Sequence, residues 1–332
     1  PWLPEGHAPG GLDLDEAVAV SLREVGDAVR WVAGRDDQVR ILELTGGKDS
    51  RAVFAAALAE GVADRFHFVT WGPPHLPDQQ VVAELVDRYD LTHGTKAPVS
   101  AAGLARRRAV QDGAGAVPSV GERILHHVWF TSGGENAWDR RPVHSMLNAQ
   151  TWMSGGLGEG LRNNYRKLIG LSSMDELDDL VRGDAYRSDA PGLLKPEVRR
   201  HFDDVTVAAL EAARPPGGGP QDAIDGDYLA RRMRRWLGPM TEIEFRNRVF
   251  PLYSLPTLRA AFGIGAARRT AEALTFGMTH AVDPDLARHR LADDSWPEAV
   301  WAGLPDAEAY RPLHPPITHQ RPRGAAAKAR AV

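Results

Sequence analysis

Cysteine is absent from this sequence of 332 residues, and lysine is scarce. The lack of cysteine excludes disulfides, thiolate zinc sites and a cysteine nucleophile. Only 5 of the 40 basic residues are lysine. Because arginine stays protonated at neutral pH whereas lysine can release its proton, a lysine that transfers protons must be one of these five. The candidates are Lys48, Lys96, Lys167, Lys195 and Lys328.

A long apolar run is also absent. No apolar stretch reaches the length of about 18 residues that a membrane-spanning helix requires, so we expect no membrane partner. The opening sequence PWLPEGHAPGG lacks the basic start and apolar core of a signal peptide. We therefore expect a cytoplasmic protein, and the start at Pro1 instead of methionine is compatible with a fragment of a longer chain. The formal charge of −4 gives no reason to expect nucleic-acid binding.

The stretch 39–58, VRILELTGGKDSRAVFAAAL, is the most informative part of the chain. An apolar, β-branched run breaks at Thr45-Gly46-Gly47 and continues as helix-forming sequence, which predicts a strand, a glycine loop and a helix. Such a unit directs backbone N–H groups and the positive end of a helix dipole at one place, where an anion can bind. Glycines let that anion approach the backbone without a Cβ in the way. An ordinary strand-to-helix turn is the alternative interpretation of the glycine pair alone.

A second strand and helix follow directly. The run Arg65–Trp71 is rich in β-formers and ends at Gly72, and Asp78 is expected to cap a helix with one apolar face. Strand, helix, strand and helix at these spacings predict a βαβ unit in a parallel sheet. The right-handed crossover brings the ends of both strands to one edge, where open α/β sheets bind ligands.

A second glycine-dense turn, SGGLGEG over residues 154–160, contains the carboxylate of Glu159. Its composition alone is typical of a flexible loop. It follows the apolar run Thr151–Met153, however, and precedes a helix-like stretch. A doubly wound sheet would bring Asp49 and Glu159 to the same edge, because each carboxylate follows a predicted strand.

The string T-G-G-K-D-S, residues 45–50, resembles the S-G-G-x-D-S loop of the PP-loop ATP pyrophosphatases. It is neither a Walker A loop nor G-x-G-x-x-G. The resemblance implies that this loop holds the pyrophosphate of ATP, that Asp49 helps to hold Mg²⁺, and that adenine lies near the end of the second strand. For Trp71 a place in the core is an open alternative. The nucleotide-binding residues implied here are Leu44, Thr45, Gly46, Gly47, Asp49, Ser50, Thr70, Trp71 and Gly72.

The second glycine turn resembles the S-G-x-G-x-D segment of the asparagine synthetase and β-lactam synthetase branch of this family. The resemblance implies that Glu159 shares Mg²⁺ with Asp49, as carboxylates commonly do together with substrate phosphate. Arg162 lies one helical turn further on and is a candidate to neutralise phosphate. A departure concerns Gly156, because this position often carries a catalytic Glu or Tyr in that branch. The implied nucleotide contacts are Ser154, Gly155 and Gly156.

A weaker resemblance to asparagine synthetase covers Phe245–Pro256, FRNRVFPLYSLP. In that family a lysine on a late loop stabilises the transition state, yet no lysine occurs between Lys195 and Lys328. Either an arginine substitutes for it or the chemistry differs. The strong cations nearby are Arg268, Arg269, Arg288 and Arg290. The candidate catalytic residues are Lys48, Arg162 and Arg268.

These features predict an α/β fold, with a doubly wound parallel sheet of the adenine nucleotide α-hydrolase (PP-loop) type and additional helices. We expect a lead-in over residues 1–11, an ATP-binding synthetase domain over 12–311 and a surface or disordered tail over 312–332. Within the domain, residues 170–226 are expected to form a helical insertion with a Pro/Gly linker.

The resemblance implies an ATP- and Mg²⁺-dependent ligase that adenylates a carboxylate, releases pyrophosphate and then AMP, and forms an amide in specialised-metabolite or peptide tailoring. The glutaminase half of asparagine synthetase needs an N-terminal cysteine, so nitrogen must come from free ammonia, a substrate amine or a partner protein. The expected partners are small-molecule or peptide carboxylates and amines. The alternatives are a non-catalytic nucleotide-binding or scaffold subunit, and a PP-loop enzyme that modifies tRNA bases, against which the missing cysteines and acidic charge argue.

Overall fold

The computed structural model describes residues 10–96, 150–163, 170–183, 194–233, 247–292 and 295–311. The strands are β1 (Val39–Glu43), β2 (His67–Val69), β3 (His93–Gly94), β4 (Gln150–Ser154) and β5 (Asn247–Val249). The first helices are α1 (Leu14–Ala33), α2 (Lys48–Ala59), α3 (Pro77–Tyr89), α4 (Met174–Arg182) and α5 (Pro196–Ala213). The later helices are α6 (Pro220–Asp227), α7 (Leu255–Gly263), α8 (Ala266–Thr270), α9 (Ala273–Val282) and α10 (Pro284–Arg288).

The strands form one parallel sheet in the order β3-β2-β1-β4-β5. The order reverses at β1, because the chain first runs outward to β3 and then returns to the other side of β1. Glu43, at the end of β1, lies in register with Val69 of β2 and Ser154 of β4. The predicted α/β class and parallel sheet are confirmed, and the PP-loop type stays a prediction.

The two faces of β1 enter different hydrophobic clusters, because successive side chains of a strand point to opposite sides. Leu42 belongs to the large core, which contains residues of α1, α2, α3, α7 and α9. Ile41 instead packs with Val69 and Trp152. Since both faces are buried, β1 reads as a mainly apolar run instead of an alternating one, which is typical of parallel sheets.

The helices predicted within 170–226 are present as α4 and α5, close to the expected bounds. Together with α6 they bury a small cluster of their own, formed by Leu177, Val181, Leu210, Ala223 and Ile224. The stretch 214–220, predicted as a flexible linker, is a hydrogen-bonded turn in which Gly218 N–H donates to the carbonyl of Pro215 at 2.9 Å. The proline and glycine residues therefore serve a tight turn between two packed helices.

The sequence of residues 262–276 predicts a continuous helix, and this prediction is wrong because left-handed residues interrupt it. Gly265 has φ 85° and Glu272 has φ 61°, and these positions separate α7, α8 and α9. Glycine is a recognisable signal for such a break, whereas glutamate is not.

None of the helices that the structure describes is long and apolar enough to cross a membrane. The lead-in before residue 10, the tail over 312–332, and two of the five lysines, Lys167 and Lys328, lie outside the described residues.

Candidate functional site

A cavity of about 350 Å³ opens at the carboxyl edge of the sheet, between the ends of β1 and β4. This is the point where the strand order reverses, and open α/β sheets bind ligands at such points. Residues 45–50 and 154–156 line the cavity together with Trp71 and Arg162. The structure therefore brings most of the predicted site residues to one place.

The first glycine loop is held partly by its own side chains. Ser50 Oγ accepts from the N–H of Thr45 at 3.1 Å, and Thr45 Oγ1 accepts from the N–H of Gly47 at 3.1 Å. The N–H of Gly46 donates to Asp78 Oδ1 at 2.7 Å. Three amides predicted to face an anion are thus engaged within the chain. The donors left for a ligand are those of the first turn of α2, where an α-helix has no internal acceptors for its N–H groups.

The second glycine segment packs directly on the first. A Cβ added to Gly155 would lie 2.3 Å from the backbone N of Ser50, and one added to Gly158 would lie 2.6 Å from Asp49 Cγ. Neither approach is possible for a residue with a side chain. The glycines that composition alone would assign to a flexible loop therefore allow close contact between the ends of β1 and β4.

Asp49 is mostly buried at this contact. Its Oδ2 accepts from Arg162 at 2.9 Å, while its buried Oδ1 has no hydrogen-bond partner. Burial raises the pKa of Asp49 from 3.8 to about 6, although Arg162 opposes the shift. The nearby charge of Glu159 raises this pKa further. The two carboxylates are therefore electrostatically coupled, as their predicted joint role requires.

These carboxylates fit a Mg²⁺ ion that takes its remaining ligands from phosphate and water. Asp49 offers a buried oxygen without a partner, and Glu159 lies near enough to affect its ionisation. Mg²⁺ is usually bound by one or two carboxylates plus substrate phosphates instead of a cage of protein ligands. The described residues contain no group of three or more His, Cys, Asp or Glu side chains arranged to hold a metal.

Lys48 forms a buried ion pair with a residue that the sequence did not indicate. Its Nζ lies 2.5 Å from Glu272 Oε2, and each side chain is only 2% exposed. The ring of Trp296 lies 5.3 Å from the same ammonium group. The late segment thus contributes a carboxylate beside the loop.

Trp71 lies at the surface of the cavity with 47% of its area exposed, so the alternative that it is a core residue is wrong. Its ring stacks on Trp152 with centroids 5.7 Å apart, and its Nε1 donates to Glu43 at 3.2 Å. Arg248 also donates to Glu43, at 2.9 Å. Sequence reasoning missed Glu43, Trp152 and Arg248. A carboxylate between two apolar residues at the end of β1 was the available signal for Glu43.

Several predicted site residues do not line the cavity, and Glu159 is one of them. Thr70 is buried, and its hydroxyl donates to the carbonyl of Leu44 at 2.7 Å, so both residues fix the strand ends. Gly72 has φ 107° and shapes the turn after β2. Arg268 is exposed on α8 and is not among the residues that line the cavity. Its neighbour Arg269 is fully buried against Asp222 and Asp225.

The segment after α9 forms another wall and is attached to the loop by Arg51. The buried guanidinium of Arg51 donates to the carbonyls of Leu286, at 3.2 Å, His289 and Arg290, at 2.7 Å. The N–H of Ala292 then donates to the carbonyl of Gly46 at 3.0 Å. Arg51 directly follows the T-G-G-K-D-S string, but sequence reasoning gave it no role.

One departure from the resemblance and one wrong prediction have a structural explanation. A Cβ at Gly156 would lie 2.9 Å from Phe250, so the position that often carries a catalytic side chain is closed by an aromatic ring. Asp78 does not cap its helix as predicted, since Leu76 is the N-cap of α3 and Asp78 binds the loop instead.

No family model matches the chain, and no curated protein is significantly similar to it.

Proposed function

We propose that this chain is an ATP-dependent amide-bond-forming ligase of the PP-loop type, similar in its motifs to asparagine synthetase and β-lactam synthetase. A carboxylate oxygen of the acid substrate attacks the α-phosphorus of ATP, which forms the acyl-adenylate and releases pyrophosphate. An amine then attacks the acyl carbon, loses a proton and displaces AMP, which leaves the amide. Positioning and charge neutralisation supply most of the acceleration in such transfers.

The observation that carries this proposal is the environment of Asp49. A buried carboxylate oxygen without a hydrogen-bond partner, beside a second carboxylate, is unfavourable unless a cation binds there. Gly155 and Gly158 allow the two segments to meet at that point, and any larger residue would separate them. An ordinary strand-to-helix turn does not require two carboxylates to be held together in this way.

The residues have separate roles in the proposed reaction. Asp49 and Glu159 would hold Mg²⁺, which neutralises phosphate charge when it is bound. The N–H groups of the first turn of α2 would donate to phosphate oxygens. Arg162, which contacts Asp49, would donate to phosphate as well. Trp71, which lines the cavity, would contact the adenine.

The acid and the amine belong to the small-molecule or peptide class. The nitrogen comes from free ammonia, a substrate amine or a partner protein, because the chain has no cysteine with which to hydrolyse glutamine. The base that deprotonates the amine differs from that of the related synthetases, since Phe250 fills the space beside Gly156.

A non-catalytic nucleotide-binding subunit is a second candidate, and the positions of the candidate catalytic cations favour it. Arg268 is exposed away from the cavity, and the ammonium of Lys48 is buried against Glu272. Among the residues that the structure describes, the late segment therefore brings no cation to the cavity wall.

ATP–pyrophosphate exchange with a panel of carboxylic acids and short peptides separates these functions. The ligase requires exchange with its acid and release of AMP once an amine is added. Binding of ATP with no exchange for any acid would favour the scaffold function. Release of ADP and phosphate would overturn the PP-loop assignment. The Asp49→Asn variant serves as the inactive reference.

A further inference from the structure

The peptide unit of Gly46 is clamped between two distant parts of the chain. Its N–H donates to Asp78 Oδ1 at 2.7 Å, and its carbonyl accepts from the N–H of Ala292 at 3.0 Å. A Cβ at Gly46 would lie 2.5 Å from the Cβ of Ala292, so no other residue fits in this position. The orientation of the loop is thus set by α3 on one side and by the 291–292 segment on the other.

The hydrogen bond to Gly46 does not explain why the acceptor is a carboxylate. Asp78 lies in the first turn of α3, and its neighbour Gln79 already fastens the end of β2 by donating to the carbonyl of Thr70 at 2.7 Å. An asparagine oxygen would accept from Gly46 equally well and would carry no charge. The negative charge of Asp78 is therefore not needed for this hydrogen bond. It lies in the first turn of α3, where the helix dipole favours a carboxylate, and it also lines the cavity.

The carboxylates around the cavity repel an anion that carries no bound cation. Glu43, Asp49 and Asp78 line the cavity, and the cationic residues that line it are Lys48 and Arg162. Lys48 is paired with Glu272, Arg162 with Asp49 and Arg248 with Glu43. Among the described residues, Asp78 is the lining carboxylate that these ion pairs leave out. A polyphosphate that enters alone meets excess negative charge, whereas a polyphosphate complexed with a divalent cation is attracted to the carboxylates.

We propose that Asp78 makes this site selective for polyphosphates that carry a divalent cation over the same polyphosphates without one. This inference rests on the proposed function, because it assumes that the cavity binds the phosphates of a nucleotide. Asp78 acts in two ways, since its hydrogen bond orients the loop and its charge repels an uncomplexed anion. Removing the charge alone should separate these effects.

The test measures the affinity of inorganic pyrophosphate by titration calorimetry, with Mg²⁺ and with EDTA in its place. The wild type should bind much more tightly with Mg²⁺. Asp78→Asn keeps the acceptor for Gly46 and removes one negative charge at the cavity wall, so binding without Mg²⁺ should strengthen by about tenfold. Binding with Mg²⁺ should change less, so the preference for the complex should fall.

Asp87→Asn is the matched control, because it makes the same change in charge on an exposed residue of the same helix. It should leave the Mg²⁺ preference at the wild-type value. Asp78→Ala also removes the acceptor for Gly46, so it should weaken the Mg²⁺-dependent binding that Asp78→Asn retains. This difference separates the orienting role of the side chain from its charge.

Four results would count against the inference. An unchanged preference in Asp78→Asn, or an equal loss of preference in Asp87→Asn, would overturn it. Wild-type binding that is the same with and without Mg²⁺ would overturn it and leave nucleotide binding intact. Failure of the wild type to bind either pyrophosphate or ATP with Mg²⁺ would overturn the proposed function, and this inference with it.

Discussion

Gly158 lies directly against the carboxylate of Asp49, so that a Cβ at position 158 would be 2.6 Å from Asp49 Cγ. The contact joins the segment after β4 to the helix after β1. It means that the second glycine segment determines where the carboxylate of the first loop can lie.

Gly158→Ala should displace Asp49 while leaving the backbone conformation accessible. The added methyl group must push the carboxylate away from its present position, with an overpacking cost of about 1–3 kcal/mol in unfolding free energy. Mg²⁺-dependent ATP binding should fall strongly. Gly303→Ala is the control, because no atom lies within 4 Å of the added Cβ. Normal Mg²⁺-dependent binding in Gly158→Ala would show that the contact has no functional role.

Asp49→Asn should stabilise the protein at neutral pH although it abolishes metal binding. The folded state holds the proton of Asp49 up to about pH 6 because burial raises this pKa, so wild-type stability falls as the pH rises from about 4 to 6. The variant has no such loss. Its unfolding free energy should exceed that of the wild type by about 3 kcal/mol above pH 6, and the difference should vanish near pH 4.

Urea unfolding of both proteins at pH 4.5 and pH 7.5, without metal, measures this difference. If the wild type and Asp49→Asn have equal unfolding free energies at both pH values, burial does not raise the pKa of Asp49. In the wild type, Mg²⁺ binding should also weaken below about pH 6, where Asp49 becomes protonated.

Lys48→Met tests whether the Lys48–Glu272 pair serves stability or catalysis. The single variant removes the ammonium that faces the buried carboxylate, which should cost about 3–5 kcal/mol. The double variant Lys48→Met with Glu272→Gln removes both charges and should recover most of this stability. If Lys48 is catalytic, the double variant is stable and still inactive in pyrophosphate exchange. Recovery of exchange together with stability would assign the pair to structure alone.

Arg51→Met should loosen the wall that carries Ala292. Three carbonyls would lose the guanidinium that satisfies them, and each buried carbonyl left without a donor costs about 1–3 kcal/mol. We expect a large loss in unfolding free energy and weaker ATP binding even where the protein remains folded. Arg88→Met is the control, since Arg88 contacts the same segment from the surface, through Asp285. An equal effect of both changes would contradict the role given to Arg51.

The sequence predicted the parts of the fold that depend on local pattern. The apolar runs around Ile41 and Trp152 and the glycines after them identified β1, β4 and their shared edge, because the period of a strand and the conformational demands of glycine are visible in single segments. The helical spacing of Val18, Leu22, Val25 and Val29 likewise predicts a first helix over 12–32, within two residues of the observed ends of α1.

The long-range pairings could not be predicted in the same way. Nothing local to Glu272 indicates a left-handed backbone or a partner on α2, because both depend on how α9 packs against α2. Asp78 had the sequence features of a helix cap, and its carboxylate binds Gly46 because the crossover brings the two loops together. Tertiary contacts decided these positions against the local preference.

Arg51 and His289 are separated by 238 residues. A ribosome that adds roughly 5–20 residues per second needs on the order of 10–50 seconds to make the chain between them. During that interval the glycine loop has been synthesised, but the segment that supplies Ala292 and closes the cavity has not. Loop closure over such a distance is slow and entropically costly. The cavity is therefore a late product of folding, and a nascent or truncated chain that ends before residue 289 has only an open, incomplete version of it.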